Sequence, residues 1–315
     1  IDEEVVPNFE YMYNAKVNYD MFDSNEMMYT KLLGGTSYDV LVPSDYMIEQ
    51  LMAEEMLQPL NLEQIPNVDL INPTVREMQK QFDPELTYSM PYFWGSVGLV
   101  YNTTAVTEEE IKEQGWDILK NPKYKGRIFF YDSQRDGFMV AFKALGYSMN
   151  TDNEQEIQEA FEWLVELNRT MEPAYVTDEV LDDMINGVKD IAIMYSGDAA
   201  YALGENMDLA WIEPDQGTNI WVDAMVIPKN AKCPGLANEF INYILTDDVQ
   251  GANTDWVAYT PVNLAIMEDR AGPDGDFFEN PAYLPREGYE KDEVFHFNKK
   301  LKEKLSELYT KVKNS

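Results

Sequence analysis

The chain has 315 residues, 45% of them hydrophobic, and is therefore long enough for two lobes or for one large domain. Its 57 acidic and 24 basic side chains give a formal net charge of −33, which argues against nucleic acid and anionic membranes as partners and favours a cation. With one cysteine, Cys233, and one histidine, His296, a disulfide framework and a Cys/His zinc site are excluded.

The N-terminal part of the chain alternates strand-like and helix-like segments, which favours an α/β fold. The apolar alternation from Ala15 to Phe22 predicts a strand, and Asp23 or Ser24 then opens a helix. The apolar run at 38–42 predicts a second strand, and a helix follows from Ser44. These segments together predict a strand–turn–helix unit.

The same alternation continues to the C-terminus, with no internal repeat and no Gly/Ser linker. Further strands are predicted at 90–102, 128–131, 191–195 and 219–227, and further helices at 107–115, 153–167, 236–245 and 297–312. The clearest helix is 153–167, because its apolar residues recur at the i, i+3, i+4 spacing of one buried face. If there are two lobes, we expect the chain to cross between them on strands.

Several turns next to the predicted strands combine aromatic, carboxylate and hydroxyl side chains. They are Ser44-Asp45-Tyr46, Ser133-Gln134-Arg135-Asp136, Tyr195-Ser196-Gly197-Asp198, Trp221-Val222-Asp223 and Tyr259-Thr260-Pro261. Ligands of open α/β sheets bind beyond the carboxyl ends of the strands, where most of these turns would lie. Aromatic faces attract ammonium groups and cover methylenes, and carboxylates pair with the charge. The set therefore suits a flexible organic cation.

Taken singly, most of these side chains are more typical of structural roles. A tryptophan such as Trp221 is usually a core residue, and Asp136 or Asp198 could each be a helix cap. Asp223 differs because it interrupts an apolar strand, where a buried carboxylate is costly without a partner. For Asp223 the structural and the ligand-binding interpretations are equally supported by the sequence.

Other sequence signatures of function are missing or unspecific. No GxGxxG or P-loop follows a predicted strand, and Ser196 lacks the flanking residues of a GxSxG elbow. No D-x-[DN]-x-[DN]-G calcium loop is present. A glycoside hydrolase with two catalytic carboxylates stays open, because so acidic a chain always offers a pair.

At these same positions the sequence resembles the spermidine/putrescine-binding proteins of bacterial ABC importers, over almost the whole chain. The segments that carry the resemblance are SNEMMYTKL (24–32), YDVLVPS (38–44), PYFWG (91–95), LGYS (145–148), WVDA (221–224) and YTPVN (259–263). Each segment is short, but their combination in this order is specific.

The resemblance implies an α/β protein with the two-lobed, type II periplasmic-binding-protein fold, a ligand cleft between the lobes and hinge closure on the ligand. We expect lobe 1 to comprise residues 1–96 and 221–268, and lobe 2 to comprise residues 97–220 and 269–315. The family's opening strand, with its Asn-Trp-x-x-Tyr motif, would lie just before Ile1. The resemblance thus implies that this chain lacks one strand and one wall of the site.

The resemblance also implies a set of ligand-binding residues. Those that match the family's positions are Ser44, Tyr46, Ser133, Asp136, Tyr195, Asp198, Trp221, Asp223 and Tyr259. Ser133 stands where spermidine binders have an aspartate, Tyr195 stands where they have a tryptophan, and Asp198 resembles an aspartate of putrescine binders. The family's C-terminal glutamine has no clear counterpart.

We therefore expect a non-catalytic, extracytoplasmic protein, in the periplasm or anchored to a Gram-positive cell surface. It would bind putrescine and/or spermidine and deliver the polyamine to the permease subunits of an ABC transporter. No cofactor, metal or nucleic acid is expected, and the protein would act as a monomer. The sequence leaves open the preference between the two polyamines, a lipid anchor and a fusion to a permease. The alternatives are a binding protein for another organic cation and the two-carboxylate glycoside hydrolase.

Overall fold

The computed structural model describes residues 1–22 and 24–315 and divides the chain into two units. Unit 1 comprises Ile1–Trp94 and Trp221–Phe278, and unit 2 comprises Gly95–Ile220 and Glu279–Ser315. Each unit is therefore assembled from segments that are distant in sequence.

Helices and strands alternate along the chain. The α-helices are α1 (Val5–Tyr13), α2 (Asn25–Leu33), α3 (Asp45–Ala53), α4 (Pro73–Gln79), α5 (Glu108–Gln114), α6 (Gln134–Ala144), α7 (Glu154–Met171), α8 (Val180–Ile185), α9 (Ser196–Glu205), α10 (Pro234–Ile244), α11 (Asp247–Val257), α12 (Leu264–Ala271) and α13 (Lys299–Lys313). The strands are β1 (Leu57–Gln58), β2 (Ser89–Asn102), β3 (Ile128–Tyr131), β4 (Ala174–Val176), β5 (Ile191–Tyr195), β6 (Leu209–Ile212), β7 (Ile220–Pro228) and β8 (Thr260–Pro261). Short 3-10 turns lie at Leu62–Gln64, Pro66–Leu70, Gly115–Lys120 and Pro122–Tyr124.

In unit 1 the strand β7 pairs with β1 and with a short segment that ends at the polar turn at Ser44. β1 pairs with it antiparallel near Pro228, and isolated bridges join Leu41 to Val226 and Ser44 to Asp223. The start of β2 pairs antiparallel with β8 through Phe93. Leu41, Leu57, Phe93 and Val226 in these segments are buried, so the polar residues at the turns are held on a fixed backbone.

In unit 2 the strands form a mixed arrangement around β5. The second half of β2 pairs antiparallel with β5 and β6, whereas β3 pairs parallel with both β5 and β4. Parallel neighbours end at the same edge of a sheet, so the residues after β3 and β5 come together. That edge carries two of the sequence-predicted turns.

The C-terminal helix α13 fixes the end of β3. Leu305, Tyr309 and Val312 form its buried stripe, at the i, i+4 and i+7 positions of one helix face. The hydroxyl of Tyr309 donates to the carbonyl oxygen of Tyr131 at 2.7 Å, and burial raises the pKa of Tyr309 far above its ordinary range. This buried, neutral phenol locks the last residue of β3 in place.

The strand predicted at Ala15 to Phe22 is wrong, because no strand is present there in the described residues. The backbone instead folds back on the end of α1. The N–H of Ala15 donates to the carbonyl of Glu10, and the N–H of Val17 donates to the Glu10 carboxylate at 2.7 Å. Because these N–H groups are bonded to Glu10, they do not pair with a neighbouring strand.

The other N-terminal predictions fit the structure more closely. The strand at 38–42 is reduced to the single bridge at Leu41. Ser24 caps α2 by accepting the N–H of Met27, while Asp23, the alternative cap, lies outside the described residues. In the described ranges, no helix is both long and apolar enough for a bilayer crossing.

Candidate functional site

Unit 1 brings together five of the nine sequence-predicted site residues, which we call the unit 1 cluster: Ser44, Tyr46, Trp221, Asp223 and Tyr259. Trp221 and Asp223 are two residues apart on β7 and therefore lie on one face of the strand. Ser44 is the N-cap residue of α3 and bridges directly to Asp223.

Asp223 is the charged centre of the unit 1 cluster. Its Oδ1 accepts a hydrogen bond from the Ser44 hydroxyl at 2.7 Å. Among the described residues, no lysine, arginine or histidine pairs with this carboxylate. Burial raises its pKa to about 6, against the smaller lowering effect of the Ser44 hydrogen bond. Protein atoms thus surround a carboxylate that has no protein counter-charge, although part of its surface stays accessible.

Aromatic rings stand beside this carboxylate. The rings of Trp221 and Tyr259 are 5.5 Å apart at an interplanar angle of 60°, and Tyr259 is in turn 6.4 Å from the ring of Phe93. Tyr46 is buried, and its hydroxyl lies 3.5 Å from Glu26. The side chain of Tyr46 therefore packs inside unit 1, whereas Tyr259 keeps part of its surface accessible.

Unit 2 brings together the other four residues, which we call the unit 2 cluster: Ser133, Asp136, Tyr195 and Asp198. Asp136 is in the first turn of α6, just after β3, and Asp198 is in the first turn of α9, just after β5. The N-terminus of a helix favours a negative charge. Two carboxylates are thereby stabilised at the edge where the parallel strands β3 and β5 end.

A tyrosine pair lines the unit 2 cluster. The rings of Tyr131 and Tyr195 stack at 4.8 Å and 30°, and the Tyr195 hydroxyl donates to Oδ2 of Asp136 at 3.0 Å. Burial, with Asp198 as the next contribution, raises the pKa of Tyr131 well above its ordinary range, and burial and Asp136 do the same for Tyr195. Both phenols are neutral at physiological pH and can act as hydrogen-bond donors beside the carboxylates.

Ser133 has a structural role in this cluster. It is the N-cap residue of α6, and its hydroxyl accepts the N–H of Asp136. The cap holds the backbone of Asp136 at the head of the helix, as serine commonly does at this position. Ser133 therefore orients an acidic neighbour, and it adds no charge of its own.

Three residues next to these clusters were missed by the sequence analysis. Tyr92 lies in the strand predicted at 90–102 but is partly accessible, and Asp223 contributes to the raised pKa that burial gives its phenol. Tyr131 ends β3, and its hydroxyl accepts the N–H of Tyr195 at 3.1 Å. Asn25 hydrogen-bonds to Ser44. A signal for Tyr131 exists in the sequence, because it lies two residues before the candidate turn that begins at Ser133.

The described residues hold no group of three or more His, Cys, Asp or Glu side chains placed to bind a metal ion. What the two clusters provide is carboxylates, neutral phenols and aromatic faces. Carboxylates attract ammonium groups, and aromatic faces attract both ammonium groups and the methylenes between them.

Residues 4–283 match the family model described as bacterial extracellular solute-binding protein. The spermidine/putrescine-binding periplasmic protein of Escherichia coli strain K12 is 33% identical over 257 residues, which cover 80% of this chain and 72% of that protein. The putrescine-binding periplasmic protein PotF of the same organism is 28% identical over 301 residues, covering 90% of this chain and 80% of that protein.

Among solved structures, the fold is similar to that of the spermidine/putrescine ABC transporter substrate-binding protein PotD of Streptococcus pneumoniae. The TM-score is 0.84 and the sequence identity 35%, and the similarity covers 100% of this chain and 95% of that one. The resemblance and the fold class inferred from the sequence are thereby confirmed.

Proposed function

This chain belongs to the bacterial extracellular solute-binding proteins, and we propose that it captures a polyamine, putrescine or spermidine, and delivers it to an ABC importer. The observation that carries the proposal is Asp223, a largely enclosed carboxylate to which no cation of the described residues is paired. Such a group is costly unless a partner neutralises it. An ammonium group of the ligand is that partner.

In unit 1, the ligand ammonium would pair with Asp223 while the rings of Trp221 and Tyr259 cover the adjoining methylenes. Cation–π attraction contributes ~0.5–2 kcal/mol for each ring that faces the charge. The Ser44 hydroxyl already donates to Oδ1, which leaves Oδ2 for the ligand. The ring of Tyr46, at the start of α3, is buried and stabilises the turn that carries Ser44.

Considered by itself, the unit 2 cluster provides Asp136 and Asp198 as counter-charges for an ammonium group. The stacked rings of Tyr131 and Tyr195 offer an apolar surface for methylenes, and the Tyr195 hydroxyl orients Asp136.

The assignment includes the location and partners of the protein. We propose an extracytoplasmic monomer that passes its ligand to permease subunits and catalyses no reaction. Family membership and the similarity to named transporter proteins support the transport role. The polyamine is neither cleaved nor modified in this role, so binding alone is the activity to measure.

Calorimetric titration with putrescine, spermidine and 1,4-butanediol tests the proposal. Butanediol has the length of putrescine but no charge, and therefore cannot pair with Asp223. We expect saturable binding with a Kd of ~10 μM or lower for at least one polyamine, and no detectable binding of the diol. Absence of binding by both polyamines to the folded protein would overturn the proposed ligand class.

The affinity for putrescine is expected to depend on pH through Asp223. A carboxyl group with a pKa of about 6 is mostly charged at pH 7 and mostly neutral at pH 5. Only the charged form attracts the ammonium, so the affinity should fall about tenfold between pH 7 and pH 5. Titrations at both pH values measure this change, and an affinity that is constant or rises over the interval would contradict it.

A further inference from the structure

Ser44 occupies the N-cap position of α3, yet its side chain makes no hydrogen bond to the backbone of that helix. Serine at an N-cap ordinarily accepts an N–H from the first helical turn. Here Oδ1 of Asp45 accepts the N–H of Tyr46 at 2.7 Å instead. The hydroxyl of Ser44 is thereby released to donate to Asp223.

Asn25 fixes the orientation of this hydroxyl. Its Nδ2 donates to Oγ of Ser44 at 3.2 Å, and its Oδ1 accepts the N–H of Ser44 at 3.2 Å. An amide nitrogen can only donate, so it occupies a lone pair of Oγ and leaves the hydroxyl proton to point at Asp223. Asn25 does not serve as the cap of its own helix, since Ser24 has that role.

We propose that Asn25 is a positioning residue for ligand binding. Acting through Ser44, it commits Oδ1 of Asp223 to the Ser44 hydroxyl and so presents Oδ2 to an ammonium group. This inference rests on the proposed function for the ammonium, but the relay from Asn25 through Ser44 to Asp223 is a property of the ligand-free protein. Hydrogen bonds to a carboxylate favour its charged form, so the relay also keeps Asp223 ionised.

The elements of unit 1 near the Asn25–Ser44–Asp223 relay carry other titratable side chains, among them Glu26 on α2, Asp45 and Tyr46 on α3, Tyr92 on β2 and Tyr259 before β8. Asp45 accepts the N–H of Val222 at 3.3 Å, and Lys31, the cation of α2, lies over the ring of Phe22. The neighbours are thus acids and phenols, and the Ser44 hydrogen bond is the contribution that favours the charged form of Asp223.

The test is the titration of the Asp223 carboxyl carbon by NMR in ligand-free variants, combined with putrescine affinities near pH 7. We expect Asn25→Ala to raise the titration midpoint of Asp223 by ~0.5 units or more and to weaken putrescine binding about fivefold. Asn25→Asp keeps the acceptor for the Ser44 N–H, loses the donor to Oγ and adds a negative charge. It should raise the midpoint further.

Ser24→Ala is the matched control, because it removes the cap of the same helix and leaves the contact between Asn25 and Ser44 in place. It should lower the thermal unfolding midpoint of the protein and leave the Asp223 midpoint unchanged. If Ser24→Ala shifted the Asp223 midpoint as much as Asn25→Ala does, destabilisation of α2 alone would explain the effect. That result would overturn the proposal.

A double-mutant cycle tests whether Asn25 acts through Ser44. The effect of Asn25→Ala on the Asp223 midpoint should disappear when Ser44 is already alanine. Additive shifts would contradict the relay. If wild-type protein bound no polyamine, the proposed function would fail, while the shifts in the ligand-free variants would still confirm or refute the relay.

Discussion

We expect the Asp223→Asn variant to lose at least ~30-fold in affinity for putrescine, about 2 kcal/mol, because the ligand ammonium would be left without its counter-charge. Asparagine has the shape of aspartate, and its amide oxygen can still accept the Ser44 hydroxyl. The loss therefore reports the charge and not the packing. Calorimetric titration near pH 7 measures it, and an unchanged affinity would remove Asp223 from the site.

The thermal unfolding midpoint of the same variant is the control for folding. The pKa of Asp223 is raised in the folded protein, so the folded state holds this proton more tightly than the unfolded state. The protonated carboxyl group therefore stabilises the folded state near pH 4, and this stabilisation is lost as pH rises through 6. Asp223→Asn should raise the thermal unfolding midpoint near pH 7 and have little effect near pH 4. A lower midpoint at both pH values would indicate damage to the fold.

The double variant Asp136→Asn/Asp198→Asn should also weaken putrescine binding by ~30-fold or more. It removes both charges of the unit 2 cluster and keeps the size of each side chain. Tyr195 can still donate its hydroxyl to the amide oxygen at position 136. Titration with putrescine measures the loss. An unchanged affinity for putrescine in the folded double variant would contradict the role of Asp136 and Asp198 as counter-charges for the ligand.

The sequence predicts much of the fold because its main signals are local. The helix predicted at 153–167 is α7, and the strands predicted at 128–131 and 191–195 have the same bounds in the structure. The helix predicted at 107–115 is α5, and Thr107 caps it by accepting the N–H of Glu110. The segment at 15–22 fails because its backbone bonds to Glu10, and apolar periodicity carries no information about such a contact.

The candidate site was predicted in part for the same reason. Asp223 stands out in sequence because a carboxylate in an apolar strand needs a partner, and its family motif supports that interpretation. Asn25 and Tyr131 were missed because their roles depend on contacts with Ser44 and Tyr195, which are distant in sequence. Tyr92 was missed because its neighbours Met90 and Trp94 are apolar and buried, which favours a core position for the whole run.

The central claim is that the Asp223 carboxylate, unpaired within the described protein, is neutralised by a ligand ammonium. The most direct measurement is the NMR titration of its carboxyl carbon, assigned by its absence in Asp223→Asn, without ligand and with saturating putrescine. We expect a midpoint of about 6 in the free protein and a fall of more than ~1 unit with putrescine bound. If the midpoint of Asp223 were the same in the ligand-free protein and in the protein saturated with putrescine, the result would contradict the account.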